Sequence, residues 1–277
     1  MIHQQKGSSP VYYPTIPQGF GIVLLFIMLS MLTGLLISLG HLSGEAGLID
    51  FMEMLGYMLA AGGTLLLIIR VKTLVYNDKP ALRHEQAPNS TYMMSIVLTL
   101  LGILAIDPLT NLIPMPEGIK ELFEQMFSKT VPAFFTAVIF APVLEEMIFR
   151  GIVLEGFLKN YSPVKAIIWT NVLFGLAHLN PWQFIGAFLM GILISWVYYK
   201  TRNLILPVAM HMLNNLISYL FLYLSDVSFS EASLKDVFPS SGLYYGLVIG
   251  SILLLALFFA FYSHLIPVGK GQNNKGD

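Results

Sequence analysis

Long apolar runs separated by short polar stretches dominate this chain. A helix needs about 20 mostly apolar residues to cross a bilayer. The runs near or above that length are roughly 20–40, 51–71, 92–113, 131–158, 163–179, 182–199, 204–224 and 243–265. This pattern predicts an all-α fold, a polytopic membrane helix bundle with about eight transmembrane helices. Because 163–179 is short and 92–113 contains Asp107 followed by Pro108, a count of seven spans stays open.

Composition supports the same class of protein. Of 277 residues, 56% are hydrophobic and only 11% are charged, whereas soluble domains carry about 25% charged residues. We therefore expect a single integral membrane domain over 1–277. A net charge of -1 argues against a nucleic-acid partner. The lack of cysteine excludes a thiolate nucleophile and Cys-based metal sites.

Loop charges give an independent prediction of topology. If the eight spans alternate in direction, one side receives most of the cations, namely Lys6, Arg70, Lys72, Lys79, Arg83, Lys159, Lys165, Lys200, Arg202, Lys270 and Lys275. The other side receives Lys120, Lys129 and Lys235. The positive-inside rule then predicts that both termini are cytoplasmic. The first apolar run is interpreted as a retained span, and 116–129 as an amphipathic helix at the interface.

Charged side chains interrupt the fourth apolar run, where they are costly enough to suggest a function. Glu146 and Arg150 are four residues apart, so they share a helix face and are expected to pair. Glu145 points about 100° away from that face and is left available as a general base. The same spacing predicts a pair between Glu155 and Lys159. A purely structural ion pair is the alternative interpretation.

Two deep histidines extend this set. Phe174 and His178 share a helix face in the fifth run, and His211 and Asn215 share one in the seventh. The approximate depths of Glu145, His178 and His211 allow them to meet in one central intramembrane active-site cavity. Close helix approach at such a cavity is expected at Gly175, Gly186 and Gly191.

These three motifs, in this order on successive membrane segments, resemble those of the CPBP intramembrane proteases. That family includes the type II CAAX prenyl endopeptidases and bacterial proteins linked to bacteriocin processing or self-immunity. The resemblance covers about 131–220, and we define 131–224 as the predicted protease core. It implies an intramembrane endopeptidase, acting on a membrane-associated peptide such as a prenylated tail or a leader peptide.

The resemblance also implies a role for each motif residue. Glu145 and His178 would activate water, while His211 and Asn215 would stabilise the oxyanion. Glu146 and Arg150 would orient the site, and Phe174 would pack beside it.

Two alternatives to this mechanism remain open. In the first, the residues Glu145, Glu146, His178 and His211 bind zinc in a metalloendopeptidase, although no compact zinc motif is present. In the second, the same groups relay protons in a membrane transporter. We favour no metal and no other cofactor. The expected partners are a peptide or membrane-protein substrate and the lipid bilayer, and the compact loops favour a bacterial cytoplasmic membrane.

Overall fold

A computed structural model of the protein describes residues 11–80, 82–110, 115–116, 129–224 and 234–266. Within these ranges the chain folds into helices and forms no strand, apart from an isolated bridge between His84 and Asn203. The predicted all-α fold class is therefore confirmed. The amphipathic helix predicted at 116–129 falls almost entirely outside the described residues.

Each predicted apolar run coincides with a helical segment. Three helices precede the motif region: α1 (Ile16–Ser43), α2 (Ala46–Leu74) and α3 (Asn89–Thr110). The fourth segment, α4, is a continuous series of pieces: Val131–Phe135, the π-helical Thr136–Phe140, Ala141–Ile148, the π-helical Phe149–Leu154 and Glu155–Asn160. Four more helices are α5 (Pro163–Ala177), α6 (Pro181–Thr201), α7 (Ile205–Leu224) and α8 (Ser241–Leu257).

Local sequence signals set several helix starts. Prolines begin α5 and α6, where the missing N–H would be unpaired in any case. Side-chain caps start α6 and α8, because Asn180 accepts from the Gln183 N–H at 2.7 Å and Ser240 from the Leu243 N–H at 3.2 Å. Sequence chemistry therefore fixes the boundaries that separate the apolar runs.

Among the described residues, length and composition identify five helical stretches that can cross a membrane, in α1, α2, α3, α6 and α8 with the turn that follows it. The apolar helices α5 and α7 are shorter, and α4 is interrupted by its π-helical pieces. Many large apolar side chains on these helices face outward, including Leu32, Leu66 and Leu253. An outer surface of this kind is typical of a protein solvated by lipid. The protein is thus a membrane helix bundle, and the count of eight spans stays a prediction.

The second half of α4 forms the centre of the bundle. Ile152, Val153, Leu154 and Phe157 are fully buried and belong to one apolar core. Helix α4 contacts α2, α5, α6 and α7. A polar side chain on this helix therefore reaches groups from several other helices at once.

Polar side chains in the outer helices pair across the fold. Helix α3 continues through Pro108 to Thr110, and the preceding Asp107 accepts a 2.5 Å hydrogen bond from the hydroxyl of Tyr244 in α8. Tyr244 is buried. Its hydroxyl satisfies an acid inside the bundle.

Asp78, in the connection between α2 and α3, joins two lysines. Lys72 and Lys159 each donate to its Oδ2 at 2.7 Å. Burial raises the pKa of Asp78, but the hydrogen bonds from Lys159 and Lys72 outweigh it, so the pKa lies below its usual value. This cluster, Lys72–Asp78–Lys159, ties α2 to the end of α4.

Candidate active site

The first motif lies between two π-helical stretches of α4. Glu145 and Glu146 belong to Ala141–Ile148, and Arg150 belongs to the π-helical Phe149–Leu154. Pro142 has no N–H and cannot continue the regular hydrogen-bond ladder, and the preceding turn is wide. π-Helical turns are rare and occur mostly as bulges at functional sites.

Arg150 is fully buried and joins α4 to two other helices. Its Nη1 donates to Glu146 Oε1 at 2.9 Å, and its Nε donates to Ser195 Oγ at 3.2 Å. Its Nη2 donates at 3.1 Å to both Asn171 Oδ1 and the Gly191 carbonyl. The predicted pair between Glu146 and Arg150 is confirmed. The guanidinium uses all three of its nitrogens, as a buried cation must.

Small residues make this cluster possible. A Cβ added to Gly191 would overlap Asn171 Oδ1 and lie 3.1 Å from Arg150 Nη2. A Cβ at Gly175 would lie 2.7 Å from the Phe184 ring, whereas one at Gly186 would make only ordinary contact with Thr110. The predicted close approach is therefore confirmed at Gly175 and Gly191, and wrong at Gly186.

Glu146 also holds an imidazole. Its Oε1 lies 2.8 Å from His211 Nδ1, on α7, while it accepts from Arg150. Its Oε2 is buried and has no hydrogen-bond partner among the described residues. Since Nδ1 faces a carboxylate, this nitrogen carries the proton and the ring is fixed in orientation. His211 Nε2 then points towards Glu145, 4.0 Å from Oε2.

Glu145 and His178 face a common internal cavity of about 160 Å³. The other residues around it are Phe26, Tyr57, Ile148, Phe149 and Ala177. Glu145 accepts a 2.6 Å hydrogen bond at Oε1 from the hydroxyl of Tyr57, on α2. The cavity is large enough for water and is lined mainly by apolar side chains. A carboxylate and an imidazole thus line one cavity.

Aromatic contacts hold both histidines. His178 ends α5, where its Nδ1 lies 2.9 Å from the Phe174 carbonyl oxygen. The Phe174 ring meets His178 and His211 edge-on, with centroids 5.1 and 5.7 Å away. The Arg150 guanidinium lies 4.7 Å from the same ring centroid. Phe174 therefore packs against three of the polar residues singled out from the sequence.

Asn215 lies one turn beyond His211 on α7. Its Nδ2 donates to the Ala137 carbonyl at 2.8 Å, and its Oδ1 accepts from Asn214 at 3.1 Å. Ala137 belongs to the first π-helical stretch of α4. The carboxamide therefore binds an irregular section of the backbone.

The zinc alternative requires at least three of the predicted ligands to converge on one point. Among the described residues, no group of three His, Asp or Glu side chains has a suitable arrangement. Glu146 Oε1 is already bound by Arg150 and His211. The residues present therefore do not fit a metal site, and we assign no step to a metal.

A second buried ion pair lies further along α4. Glu155 accepts from Arg202 at 2.6 Å and from the Tyr198 hydroxyl at 2.8 Å. The predicted pair between Glu155 and Lys159 is wrong, because Lys159 binds Asp78 instead. Glu155 and Lys159 therefore each pair with a residue that is distant along the chain and that the tertiary fold brings close.

Sequence reasoning missed three polar contributors to the site. Tyr57, Asn171 and Ser195 come from α2, α5 and α6, and their partners lie at least 21 residues away along the chain. Asn171 and Ser195 sit inside apolar runs, and a polar residue at such a place is a weak signal. Because tyrosine is common in membrane proteins near the ends of spans, its presence at position 57 did not indicate a role in the site.

Taken together, the fold and the site define a membrane helix bundle with a buried carboxylate, guanidinium and imidazole cluster beside an internal cavity. Residues 127–217 match the family described as "Type II CAAX prenyl endopeptidase Rce1-like". This part of the chain is therefore similar to the Rce1-like family, and the resemblance found in the motifs is confirmed. The matched region contains every predicted site residue.

Two relatives extend this finding. The chain is 33% identical over 116 residues to the membrane-embedded CAAX protease MroQ of Staphylococcus aureus (strain USA300), covering 39% of this chain and 47% of that protein. It is 27% identical over 177 residues to an uncharacterized 24.3 kDa protein of Escherichia coli, covering 60% of this chain and 81% of that one. The match to the first thus spans about half of its length. No solved structure matches the chain.

Proposed function

We propose that the protein is an intramembrane endopeptidase, in which Glu145 and His178 activate a water molecule. The observation that carries this proposal is the cavity shared by these two side chains. Family membership supports a protease, and MroQ is described as a membrane-embedded CAAX protease. Peptide hydrolysis needs a water molecule and a base, and the cavity has room for the water beside the carboxylate of Glu145.

In the proposed reaction, a water bound between Glu145 and His178 gives its proton to the carboxylate. The resulting hydroxide attacks the peptide carbonyl carbon and forms a tetrahedral oxyanion. When the C–N bond breaks, the departing nitrogen takes the proton from Glu145. The products are a carboxylic acid and an amine, so the carboxylate returns to its starting state.

His211 and Asn215 are proposed to stabilise the oxyanion. Glu146 holds His211 at Nδ1, so a second proton on Nε2 makes the ring an imidazolium whose charge the carboxylate offsets. The amide of Asn215 has two hydrogens, and Ala137 accepts one of them. The other can serve the oxyanion, since donors aimed at a developing charge supply much of the rate.

We favour chemistry without a metal because Glu146 is committed to Arg150 and His211. Glu146 and Arg150 then act as orienting residues, and Phe174 as their packing support. No cofactor is needed for the steps above.

The proposed substrate is a peptide or membrane protein that reaches the cavity from the bilayer, such as a prenylated tail or a leader peptide. Both relatives come from bacteria, which supports a bacterial cytoplasmic membrane. The loop charges support cytoplasmic termini. Reporter fusions to each terminus test that orientation, and an external terminus would contradict it.

The decisive experiment compares purified wild-type protein with Glu145→Gln on a peptide substrate. Glutamine keeps the shape but cannot accept the proton, so we expect kcat to fall by about 10²-fold to 10⁴-fold. Glu53→Gln is the matched control, because Glu53 is a carboxylate of α2 that does not line the cavity. A strong chelator is added in parallel.

Undiminished cleavage by Glu145→Gln would refute the mechanism. Activity that the chelator removes and zinc restores would instead favour the metalloendopeptidase.

A further inference from the structure

Tyr57 lies next to the proposed base although it is outside the matched family region of 127–217. Its hydroxyl donates to Glu145 Oε1 at 2.6 Å, a length typical of a hydrogen bond to an ionised acceptor. Its ring meets Phe26 edge-on at 6.3 Å, and both rings line the cavity. Helices α1 and α2 therefore complete a site whose other polar groups lie within the matched region 127–217.

The two oxygens of Glu145 have different surroundings. Oε1 is bound by Tyr57, whereas Oε2 lies 4.0 Å from His211 Nε2. A separation of 4.0 Å is too long for a hydrogen bond, so His211 does not occupy Oε2. With one oxygen held in place, the carboxylate cannot rotate freely, and the second oxygen is the one available to take a proton.

We infer that Tyr57 is a positioning residue for Glu145, fixing its carboxylate so that Oε2 is the oxygen that accepts the proton of the water. This inference rests on the proposed function, since it assigns a partner to the proposed base. It also implies that the matched region 127–217 does not form the complete site alone, because α1 and α2 supply Phe26 and Tyr57.

Two other tyrosines show what a structural hydroxyl looks like in this fold. Tyr198 donates to Glu155 at 2.8 Å and Tyr244 to Asp107 at 2.5 Å. Neither pair lines the cavity. A hydrogen bond from a tyrosine hydroxyl to a carboxylate therefore recurs in this fold away from the cavity. Tyr57 differs from the other two tyrosines because it lines the cavity.

The test is Tyr57→Phe, with Tyr198→Phe as the matched control and Glu145→Gln as the reference for loss of the base. Each variant is assayed on the same peptide for kcat and KM, and its thermal unfolding midpoint is measured in detergent. We expect Tyr57→Phe to lower kcat by about 10-fold to 100-fold, the scale of a lost hydrogen bond to a charged group. KM should change less than twofold, while Tyr198→Phe keeps the wild-type kcat.

The outcomes separate the two proposals. If Glu145→Gln is inactive but Tyr57→Phe keeps the wild-type kcat, the positioning role is wrong and the proposed function stands. A loss of kcat in Tyr57→Phe that matches a loss of folded protein, or one that Tyr198→Phe shares, also overturns the positioning role. If Glu145→Gln retains activity, both proposals fail.

Discussion

Helix α4 carries two buried ion pairs that differ in what surrounds them. Glu146 with Arg150 and Glu155 with Arg202 have nitrogen to oxygen distances of 2.9 and 2.6 Å, and their side chains are at most 8% exposed. The first pair also binds His211 and sits beside the residue that faces the cavity. The second binds Tyr198, away from the cavity. Burial and pairing alone therefore do not distinguish the pair beside the cavity from the pair away from it.

The cations of the two pairs also differ in how fully they are bound. Arg150 donates through all three nitrogens to partners on α4, α5 and α6. Arg202 has a buried Nε without a hydrogen-bond partner among the described residues, although it packs over the Tyr199 ring at 5.7 Å. The cation next to the cavity is held in one geometry, which suits the orienting role proposed for it.

The largest expected effect comes from removing these cations. Arg150→Met leaves Glu146 and the acceptors on α5 and α6 buried without their donor. We expect a loss of about 3–5 kcal/mol of stability together with cleavage below detection. Thermal unfolding in detergent and peptide cleavage measure the two effects.

Arg202→Met is the matched control for this comparison. It breaks the other buried pair, so it should destabilise the protein on a similar scale while the folded fraction keeps its kcat. The contrast between the pairs would be lost if both variants reduced the kcat of folded protein equally.

A smaller effect is expected from crowding the Arg150 cluster without removing a charge. Gly191→Ala places a methyl group against Asn171 and Arg150, so one of them must move. We expect about 1–3 kcal/mol of destabilisation and a lower kcat. Gly186→Ala lies on the same helix and makes only ordinary contact, so its unfolding midpoint and kcat should match wild type. Equal behaviour of the two variants would show that the cluster tolerates displacement.

The smallest effect concerns the Lys72–Asp78–Lys159 cluster, whose carboxylate, unlike those of the two pairs, is partly exposed. Because the pKa of Asp78 is lowered in the folded protein, its ionised form stabilises the fold above the unfolded value of about 3.9, and this contribution is lost as the pH falls through the folded pKa. Asp78→Asn should cost about 1 kcal/mol at pH 7. The unfolding midpoints of the two proteins should converge at acidic pH, and a constant difference would exclude this origin.

Sequence pattern predicted the helices and the local pair, and failed where partners are distant. The spacing of Glu146 and Arg150 places them on one helix face, and the structure joins them. The same rule failed for Glu155 and Lys159, because the fold offers each a partner elsewhere. Helical spacing predicts which contacts are possible, and tertiary packing determines which of them form.

The site could be predicted only as far as single segments reveal it. Glu145 and His178 stand out as polar groups in apolar runs, so they were found. Tyr57 escaped because its partner is 88 residues away and tyrosine has no distinctive pattern in a membrane helix. The π-helical pieces of α4 were also missed, because Pro142 indicates an interrupted hydrogen-bond ladder but not the width of the turn before it.

The network around Arg150 has a consequence for how the protein is made. During synthesis α4 leaves the ribosome before its partners, because Asn171, Gly191 and Ser195 follow Arg150 by 21, 41 and 45 residues. Until α5 and α6 emerge, Glu146 is the only one of the hydrogen-bonding partners of the arginine that the insertion machinery has received. A lone arginine in lipid is unfavourable. The hydrogen-bonding partners of Arg150 are therefore complete only once residues 131–201 have all been synthesised.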